Sequence, residues 1–253
     1  MTTPMDDDVP GVVESRHMLE RLAAEQLLVG RTLRGFPAPG SGLRAADLDG
    51  VTIEQVDLQD AVCDGARLEQ AQLRQVDLRR SHWQGALWRR VRAETSDLTE
   101  IDLSGAEIIS CELGPVTMAK ARMAGAKVQG TRFLETELHG ADFSRAMLMR
   151  SAFVGYRGNT FSLSRVSFRG AALIQVDMSF SNLYGADFSG ALLVRCDLRG
   201  ANLCEVNFRG AHLVGCETAG ADIDGALVAA GDATIERGAS PAGASGPADI
   251  RER

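Results

Sequence analysis

The fold is decided by a run that begins at Ala46 and reads, in groups of five, ADLDG VTIEQ VDLQD AVCDG ARLEQ AQLRQ VDLRR as far as Arg80. The same frame continues to ADIDG ALVAA at Ala230 without one inserted or deleted residue, so it takes up most of the chain. An internal repeat of this length determines the whole architecture and has to be interpreted first.

Each position of the pentad has its own composition. The third position is Leu 17 times and Phe six times, and only Gly158 and Thr218 are not apolar there. The first position is Ala 17 times and is otherwise mostly small or β-branched. A period of five fits neither an α-helix nor a β-strand, so the chain has to turn at every pentad. Four pentads then close one square coil, with the first and third positions inward and the other three outward.

This pattern resembles the pentapeptide-repeat family, whose consensus A(D/N)LXX is matched by ADLDG, ADFSR, ADFSG, ANLCE and ADIDG. The resemblance implies an all-β solenoid, a right-handed quadrilateral β-helix. With strand-like spacing between stacked coils, about 4.8 Å, nine to ten coils make a rod roughly 45 Å long. The composition agrees, because 27 Gly and only 5% aromatic residues suit a narrow axis filled by Leu and Ala.

The two ends of the chain depart from the repeat. Apolar residues recur at helical spacing within residues 12–30, so we predict an amphipathic helix that caps the first coil. We assign the solenoid to residues 31–230, beginning with the irregular pentads RTLRG FPAPG SGLRA. Residues 1–11 and the Gly-, Ala-, Ser- and Pro-rich residues 231–253 are predicted to be disordered.

Several functional classes find no support in the sequence. There is no apolar stretch of membrane-spanning length and no signal-peptide pattern, so we expect a cytoplasmic protein that does not bind membranes. The formal net charge of −7 argues against direct nucleic-acid binding. Five cysteines without a CxxC pair and four scattered histidines indicate neither a disulfide framework nor a metal site.

Catalytic motifs are also lacking. The sequence contains no GxSxG, P-loop, HExxH or dinucleotide-binding glycine pattern, and a straight solenoid offers no concave site for converging polar groups. Four cysteines occupy inward positions, and only Cys204 projects outward. We therefore expect a protein that is not an enzyme, without cofactor, catalytic residue or metal, whose function lies on its outer surfaces.

If the frame is unbroken, outward residues four pentads apart stack in columns. One such column is acidic at the second pentad position in seven of nine coils. Its members are Asp57, Asp77, Asp97, Glu137, Asp177, Asp197 and Glu217. A line of carboxylates can imitate the phosphates of a DNA duplex. The alternative is that Asp is simply the consensus residue there, because its short side chain bonds nearby backbone at a turn.

A second predicted column is apolar at positions that should face water. It comprises Leu134, Val154, Ile174, Val194 and Val214, with Leu192 beside it. An exposed apolar stripe of this kind commonly marks an interface, with either a partner protein or a second copy of the chain. The other interpretations are that the tail or the helix covers it, or that bulges turn these side chains away.

Residues 156–165, YRGNT FSLSR, depart from the pattern, with Gly158 at an axial position and Tyr156 and Phe161 at small-residue positions. They form either a repacked regular coil or a small loop. From these features we expect a protein-binding scaffold or adaptor, a class that in this family includes proteins linked to bacterial secretion machinery. The alternative, also implied by the family resemblance, is a DNA mimic that modulates DNA gyrase and confers quinolone or toxin resistance.

Overall fold

The computed structural model describes residues 11–155 and 162–227 of the 253-residue chain. In this part the chain winds as a β-solenoid of about 10 turns with a single short helix, as the pentad frame predicts. The predictions of disorder for residues 1–10 and 231–253 lie outside the described residues.

Eighteen short strands, all paired in parallel, make up the coils. In chain order they are β1 Val12–Val13, β2 Thr32–Arg34, β3 Thr52–Glu54, β4 Arg67–Glu69, β5 Gln72–Arg74, β6 Leu87–Arg89, β7 Arg92–Glu94, β8 Ser96–Asp97, β9 Glu107–Ile109, β10 Glu112–Leu113, β11 Val116–Thr117, β12 Lys127–Gln129, β13 Arg132–Leu134, β14 Met147–Met149, β15 Ala152–Val154, β16 Ala172–Ile174, β17 Leu192–Val194 and β18 His212–Val214.

The solenoid has four sides, which the chain visits in order. Side 1 carries the eight-stranded sheet β1-β2-β3-β5-β7-β10-β13-β15, and side 2 carries the pair β8 and β11. Side 3 is joined by isolated bridges such as the one between Val62 and His82. Side 4 carries the second eight-stranded sheet, β4-β6-β9-β12-β14-β16-β17-β18. Sides 1 and 4 therefore share one corner, and sides 3 and 4 share the next.

Two backbone hydrogen bonds that join stacked coils recur along the rod, beside a third from the fifth-position amide to the fourth-position carbonyl of the next coil. The third-position amide donates to the second-position carbonyl of the next coil, as from Leu58 to Asp77 at 2.8 Å. The second-position amide donates to the first-position carbonyl of the preceding coil, as from Asp77 to Val56 at 3.1 Å. Because both bonds run along the rod axis, the flat sides leave no sheet edge free.

The corners lie at the fifth position of the pentad, where the backbone is left-handed. Gly105 has a φ of 67°, and Gln75 has a φ of 53° at the equivalent place. Glycine adopts this region without strain, whereas an L-residue with a side chain has to be held there by the surrounding structure. The ladder of hydrogen bonds supplies that constraint, and for this reason Gln, Arg and Glu also occupy corners.

The interior is a continuous column of first- and third-position side chains. Almost all of them are buried, and the phenylalanines of side 3 stack on one another along the axis. The ring centroids lie 5.3 Å apart for Phe143 and Phe168, 4.9 Å for Phe168 and Phe188, and 5.3 Å for Phe188 and Phe208. These spacings match the distance between coils. The stacked rings fill an axis that has few other large residues.

The N-terminal helix α1 covers Arg16–Ala24, which is shorter than the predicted span of 12–30. The Ser15 side chain accepts a hydrogen bond from the Met18 amide and fixes the start of the helix. Before it, Val12–Val13 pairs with β2, and the carbonyl of Gly11 accepts from Thr32 at 2.7 Å. Gly11 is therefore part of the solenoid edge and not of a disordered terminus. Leu19 and Leu22 are buried, as expected of a cap.

The coil spacing changes once along the rod. Up to β15, paired residues are four pentads apart, but Met149 pairs with Ile174 and Ala152 bridges Asp177, five pentads apart. Beyond Ser162 the spacing is four pentads again, as in the bridge from Ser162 to Asn182. The pairing between coils therefore counts one extra pentad. It falls between Gly155 and Ser162, and the structure of residues 156–161 lies outside the described residues.

No helix in residues 11–155 and 162–227 is long and apolar enough to cross a membrane.

At the C-terminal end of the described solenoid, Ile223 and Leu227 are each 44% exposed, whereas the equivalent side chain one coil before Ile223, Leu203, is buried.

Candidate functional site

The extra pentad divides the predicted apolar column between two sides. Leu134 and Val154 pair with each other on side 1. Ile174, Val194 and Val214 instead lie on side 4, where Ile174 follows Met149. The prediction that all five share one side is wrong. An added complete pentad leaves the five-residue frame of the sequence unchanged, but it moves every later pentad to the next side of the solenoid.

The register that the structure shows brings a different set of apolar side chains together on side 4. We call this set the side-4 surface. It consists of second- and fourth-position residues of four consecutive coils, namely Met147, Met149, Ala172, Ile174, Leu192, Val194 and Val214. Met147, Leu192 and Val214 are 45%, 40% and 47% exposed, and the other four are half-buried. The surface is thus contiguous and accessible among the described residues.

Arginines border the side-4 surface along both of its long edges. The corner shared with side 1 carries Arg150 and Arg195, and the corner shared with side 3 carries Arg145, with Arg169 and Arg209 beside it. An open groove of about 730 Å³ runs along the side-3 corner between Arg145 and Arg169. It exists because Gly125 and Gly170 leave the corner without side chains there.

The acidic column is divided in the same way. Asp57, Asp77, Asp97 and Glu137 lie on side 2, with Thr117 between the last two. Asp177, Asp197 and Glu217 follow Ala152 on side 1. The longest uninterrupted run of acids is therefore three coils. The prediction of seven acids on one side is wrong for the same physical reason as before.

The aspartates of both groups serve the local backbone. Asp57, Asp97 and Asp177 each accept a hydrogen bond from the amide two residues later, at 2.9 Å in all three. Aspartates and asparagines on the remaining sides do the same, such as Asp187 with Ser189 at 2.9 Å. This supports the interpretation of second-position Asp as a turn residue of the repeat.

Arginines on the same sides offset several of these carboxylates. Arg79 forms a bidentate pair with Asp77, and Arg199 does so with Asp197 while also lying 3.2 Å from Glu217. Burial alone would raise the pKa of Asp197, but the hydrogen bonds from Arg199 outweigh it and lower that pKa. The acids are thus separated by paired positive charges.

The cysteines are placed as predicted. Cys63, Cys111, Cys196 and Cys216 are buried, and Cys204 is half-buried on the outer surface of side 2. Burial raises the pKa of the Cys111 thiol to about 11, which keeps it protonated and unreactive. No cluster of His, Cys, Asp or Glu in residues 11–155 and 162–227 has the arrangement of a metal site.

Comparison with known proteins agrees with this architecture. The sequence model described as Pentapeptide repeats matches in eight copies, over residues 43–75, 118–153, 162–200, 181–217 and 191–227. The chain belongs to this pentapeptide repeat family. No protein with a curated description matches the sequence.

Solved structures of pentapeptide repeat proteins resemble the chain at low identity. HetL, a pentapeptide repeat protein involved in heterocyst differentiation regulation in the cyanobacterium Nostoc sp. strain PCC 7120, is 21% identical, with 85% of this chain and 94% of HetL covered and a TM-score of 0.37. QnrB1, a plasmid-mediated fluoroquinolone resistance protein, is 16% identical, with 78% and 93% covered and the same TM-score of 0.37. Likenesses this distant have no bearing on what the chain binds.

Sequence reasoning found four members of the side-4 surface, Ile174, Leu192, Val194 and Val214. It missed Met147 and Met149 because their pentad, AMLMR, lies five pentads and not four before the next member. The signal that could have found them is the departure at YRGNT, where Gly158 stands at an axial position and cannot fill the core.

Proposed function

We propose that this pentapeptide repeat protein is a non-enzymatic scaffold that docks a partner protein on the side-4 surface. The observation that carries the proposal is the exposure of contiguous apolar side chains over four coils, three of them at 40% or more. Soluble proteins seldom leave an apolar patch of this size uncovered unless it binds something.

The shape of the side-4 surface supports the same function. It is flat, and three of its four strands, β14, β16 and β17, are paired on both sides, so the side chains project from a fixed backbone. A preorganised surface loses little conformational entropy when a partner binds. Methionines at one end, Met147 and Met149, add side chains that adapt to the partner at low cost.

The gyrase-directed DNA mimic receives less support from the geometry. A mimic needs a long regular line of free carboxylates, whereas Asp77 and Asp197 are paired with arginines and the column changes side after Glu137. We therefore place the partner on the apolar surface, and acidic side 2 is assigned no separate function.

Site-specific photo-crosslinking tests the proposal. A photoreactive amino acid at Leu192 should crosslink one defined protein in the native cell, and the double variant I174D/V194D should abolish that product. The matched control is L134D/V154D, which places the same charges at the same pentad position on side 1. Loss of the product in both variants, or in neither, would contradict docking on side 4.

A further inference from the structure

The charges around the side-4 surface are opposite in sign to those of the whole chain. The chain carries a formal charge of −7. From Lys127 to Gly215, the outward positions of side 4 hold cations and no Asp or Glu. These outward residues are Lys127, Gln129, Gly130, Met147, Met149, Arg150, Ala172, Ile174, Gln175, Leu192, Val194, Arg195, His212, Val214 and Gly215.

Among the described residues, the bordering arginines largely lack an anionic partner, although Arg150 donates a hydrogen bond to the neutral side chain of Gln175 at 3.3 Å. Within the described parts of the chain, no carboxylate lies within the 4.0 Å of an ion pair from Arg145, Arg150, Arg195 or Arg209. Arg169 lies 3.7 Å from Asp187, at the outer limit of a salt bridge. Around the side-1 corner, Asp197 and Glu217 pair with Arg199, and Asp177 accepts a hydrogen bond from the Ser179 amide. None of these three acids forms an ion pair with Arg150 or Arg195.

The dimensions of the surface fit a helix. One side of the solenoid is a three-residue strand wide, roughly 10 Å, and an α-helix with its side chains is about 10–12 Å across. Four coils at about 4.8 Å extend roughly 14 Å from first to last, which is close to three helical turns. A strand could not join this surface because the backbone groups of β14, β16 and β17 are already paired on both sides.

We propose that the partner presents an acidic amphipathic helix, with an apolar stripe that covers the side-4 surface and Glu or Asp residues on both flanks. This inference rests on the proposed function and specifies the chemistry of the docked segment. Carboxylates on one flank meet Arg150 and Arg195, and those on the other enter the groove between Arg145 and Arg169. Such pairs at the rim govern specificity and rate of association.

The other occupants fit the charges less well. A second copy that brings its own side-4 surface into contact would place arginine borders against arginine borders, and like charges at an interface are unfavourable. The chain's own residues 228–253 carry Arg237, Arg251 and Arg253 as well as acids, and their centre is a Gly-, Ala- and Ser-rich stretch without large apolar residues.

Two synthetic peptides test the inference by fluorescence anisotropy on the full-length protein. They share one apolar helical stripe and differ only in flanks of Glu or of Lys. We expect the Glu peptide to bind at least about tenfold more tightly than the Lys peptide, with the preference weakening as salt rises. The variant R145E/R195E should reverse the preference. Glu100 already occupies an equivalent corner at a φ of 59°, so Glu is compatible with the backbone there.

The outcomes separate the two proposals. Equal binding of both peptides, lost in I174D/V194D and kept in L134D/V154D, would overturn the acidic helix but leave the docking surface in place. Absence of binding by either peptide would overturn the acidic helix, and the crosslinking experiment would then decide the proposed function alone. A dimer that I174D/V194D converts to monomer would assign the surface to a second copy. If the unmodified protein binds neither peptide and trypsin cleaves I174D/V194D faster after Arg237, the side-4 surface would be assigned to the C-terminal segment of the chain. Either result also overturns the proposal.

Discussion

Met149 and Ile174 are neighbours on side 4, paired across two parallel strands although they lie five pentads apart in the sequence. The strand pairings on either side of them span four pentads, as between Ile174 and Val194. This one relationship turns the later coils by a quarter of a turn relative to the sequence frame. It also creates the side-4 surface, because it places methionines next to aliphatic residues and arginines along the edges.

The first prediction concerns the extra pentad. Deletion of residues 156–160 restores the four-pentad spacing and should leave the fold intact. The free energy of unfolding should be unchanged, or higher by up to about 1 kcal/mol because the connection between Gly155 and Ser162 is shortened. The control is deletion of residues 146–150, which removes β14 and should destabilise the protein strongly. Circular dichroism during urea unfolding measures both. Unfolding of the first variant under native conditions would show that the pentad belongs to the coil.

A second prediction concerns two glycines. Gly114 has a φ of 147°, and a Cβ there would collide with the carbonyl oxygen of Leu134 in the next coil. We expect Gly114→Ala to lower the free energy of unfolding by about 3 kcal/mol, since backbone has to move. At Gly105, with a φ of 67° and open space around the new Cβ, the same substitution should cost only about 1–2 kcal/mol of backbone strain. Equal urea midpoints for the two variants would contradict this account.

A third prediction concerns pH. Asp102 is 5% exposed, and it accepts hydrogen bonds from the Ser104 amide at 3.0 Å and from Gln84 at 2.8 Å. Burial alone would raise the pKa of Asp102, but hydrogen bonds from the Ser104 side chain, Gln84 and the Ser104 amide, together with the charge of Arg122 at 3.9 Å, outweigh it and the pKa is lowered. A carboxyl with a depressed pKa in the folded state stabilises the protein above its unfolded pKa, and this contribution is lost as the pH falls through the folded value.

Asp102→Asn should therefore cost about 2 kcal/mol at pH 7, and the difference from the parent should shrink below about pH 4. Urea unfolding at a series of pH values measures it. If the difference in free energy of unfolding between the two proteins stays constant down to pH 2, the destabilisation comes from packing and not from the charge of Asp102.

A fourth prediction concerns thiols. Burial raises the thiol pKa of both Cys204 and Cys63, with a hydrogen bond to Asp222 adding to the effect at Cys204. The two thiols differ in access, because Cys204 is half-buried at the surface whereas Cys63 is fully buried. A chromogenic disulfide reagent at pH 8 should modify Cys204 rapidly in the native protein and all five cysteines after denaturation. A Cys204→Ser variant that keeps the rapid phase would contradict this assignment.

Much of the architecture could be predicted from the pentad frame alone. The inward positions, the buried cysteines and the helical cap at Leu19 and Leu22 follow from composition at each position, which depends only on local periodicity. The role of second-position Asp as a turn residue was also among the interpretations that the sequence allowed. These features do not depend on how many pentads make a coil.

The sides could not be predicted beyond residue 155. An insertion of one whole pentad preserves the sequence frame, so periodicity cannot distinguish a pentad in the coil from one outside it. What decides the matter is packing: Phe143 stacks on Phe168 at 5.3 Å only if one pentad is left out between them. In the sequence, the change is indicated only by the departures from the pentad composition at Tyr156, Gly158 and Phe161.

The most direct test of the account is a pair of thiol crosslinks between outward positions in a Cys204→Ser background. A short bifunctional thiol reagent should join the cysteines of M149C/I174C, which are paired on side 4. The same reagent should fail with V154C/I174C, the pair that a constant four-pentad spacing would place together and that the structure puts on different sides. Efficient crosslinking of the second pair without the first would contradict the register and, with it, the side-4 surface.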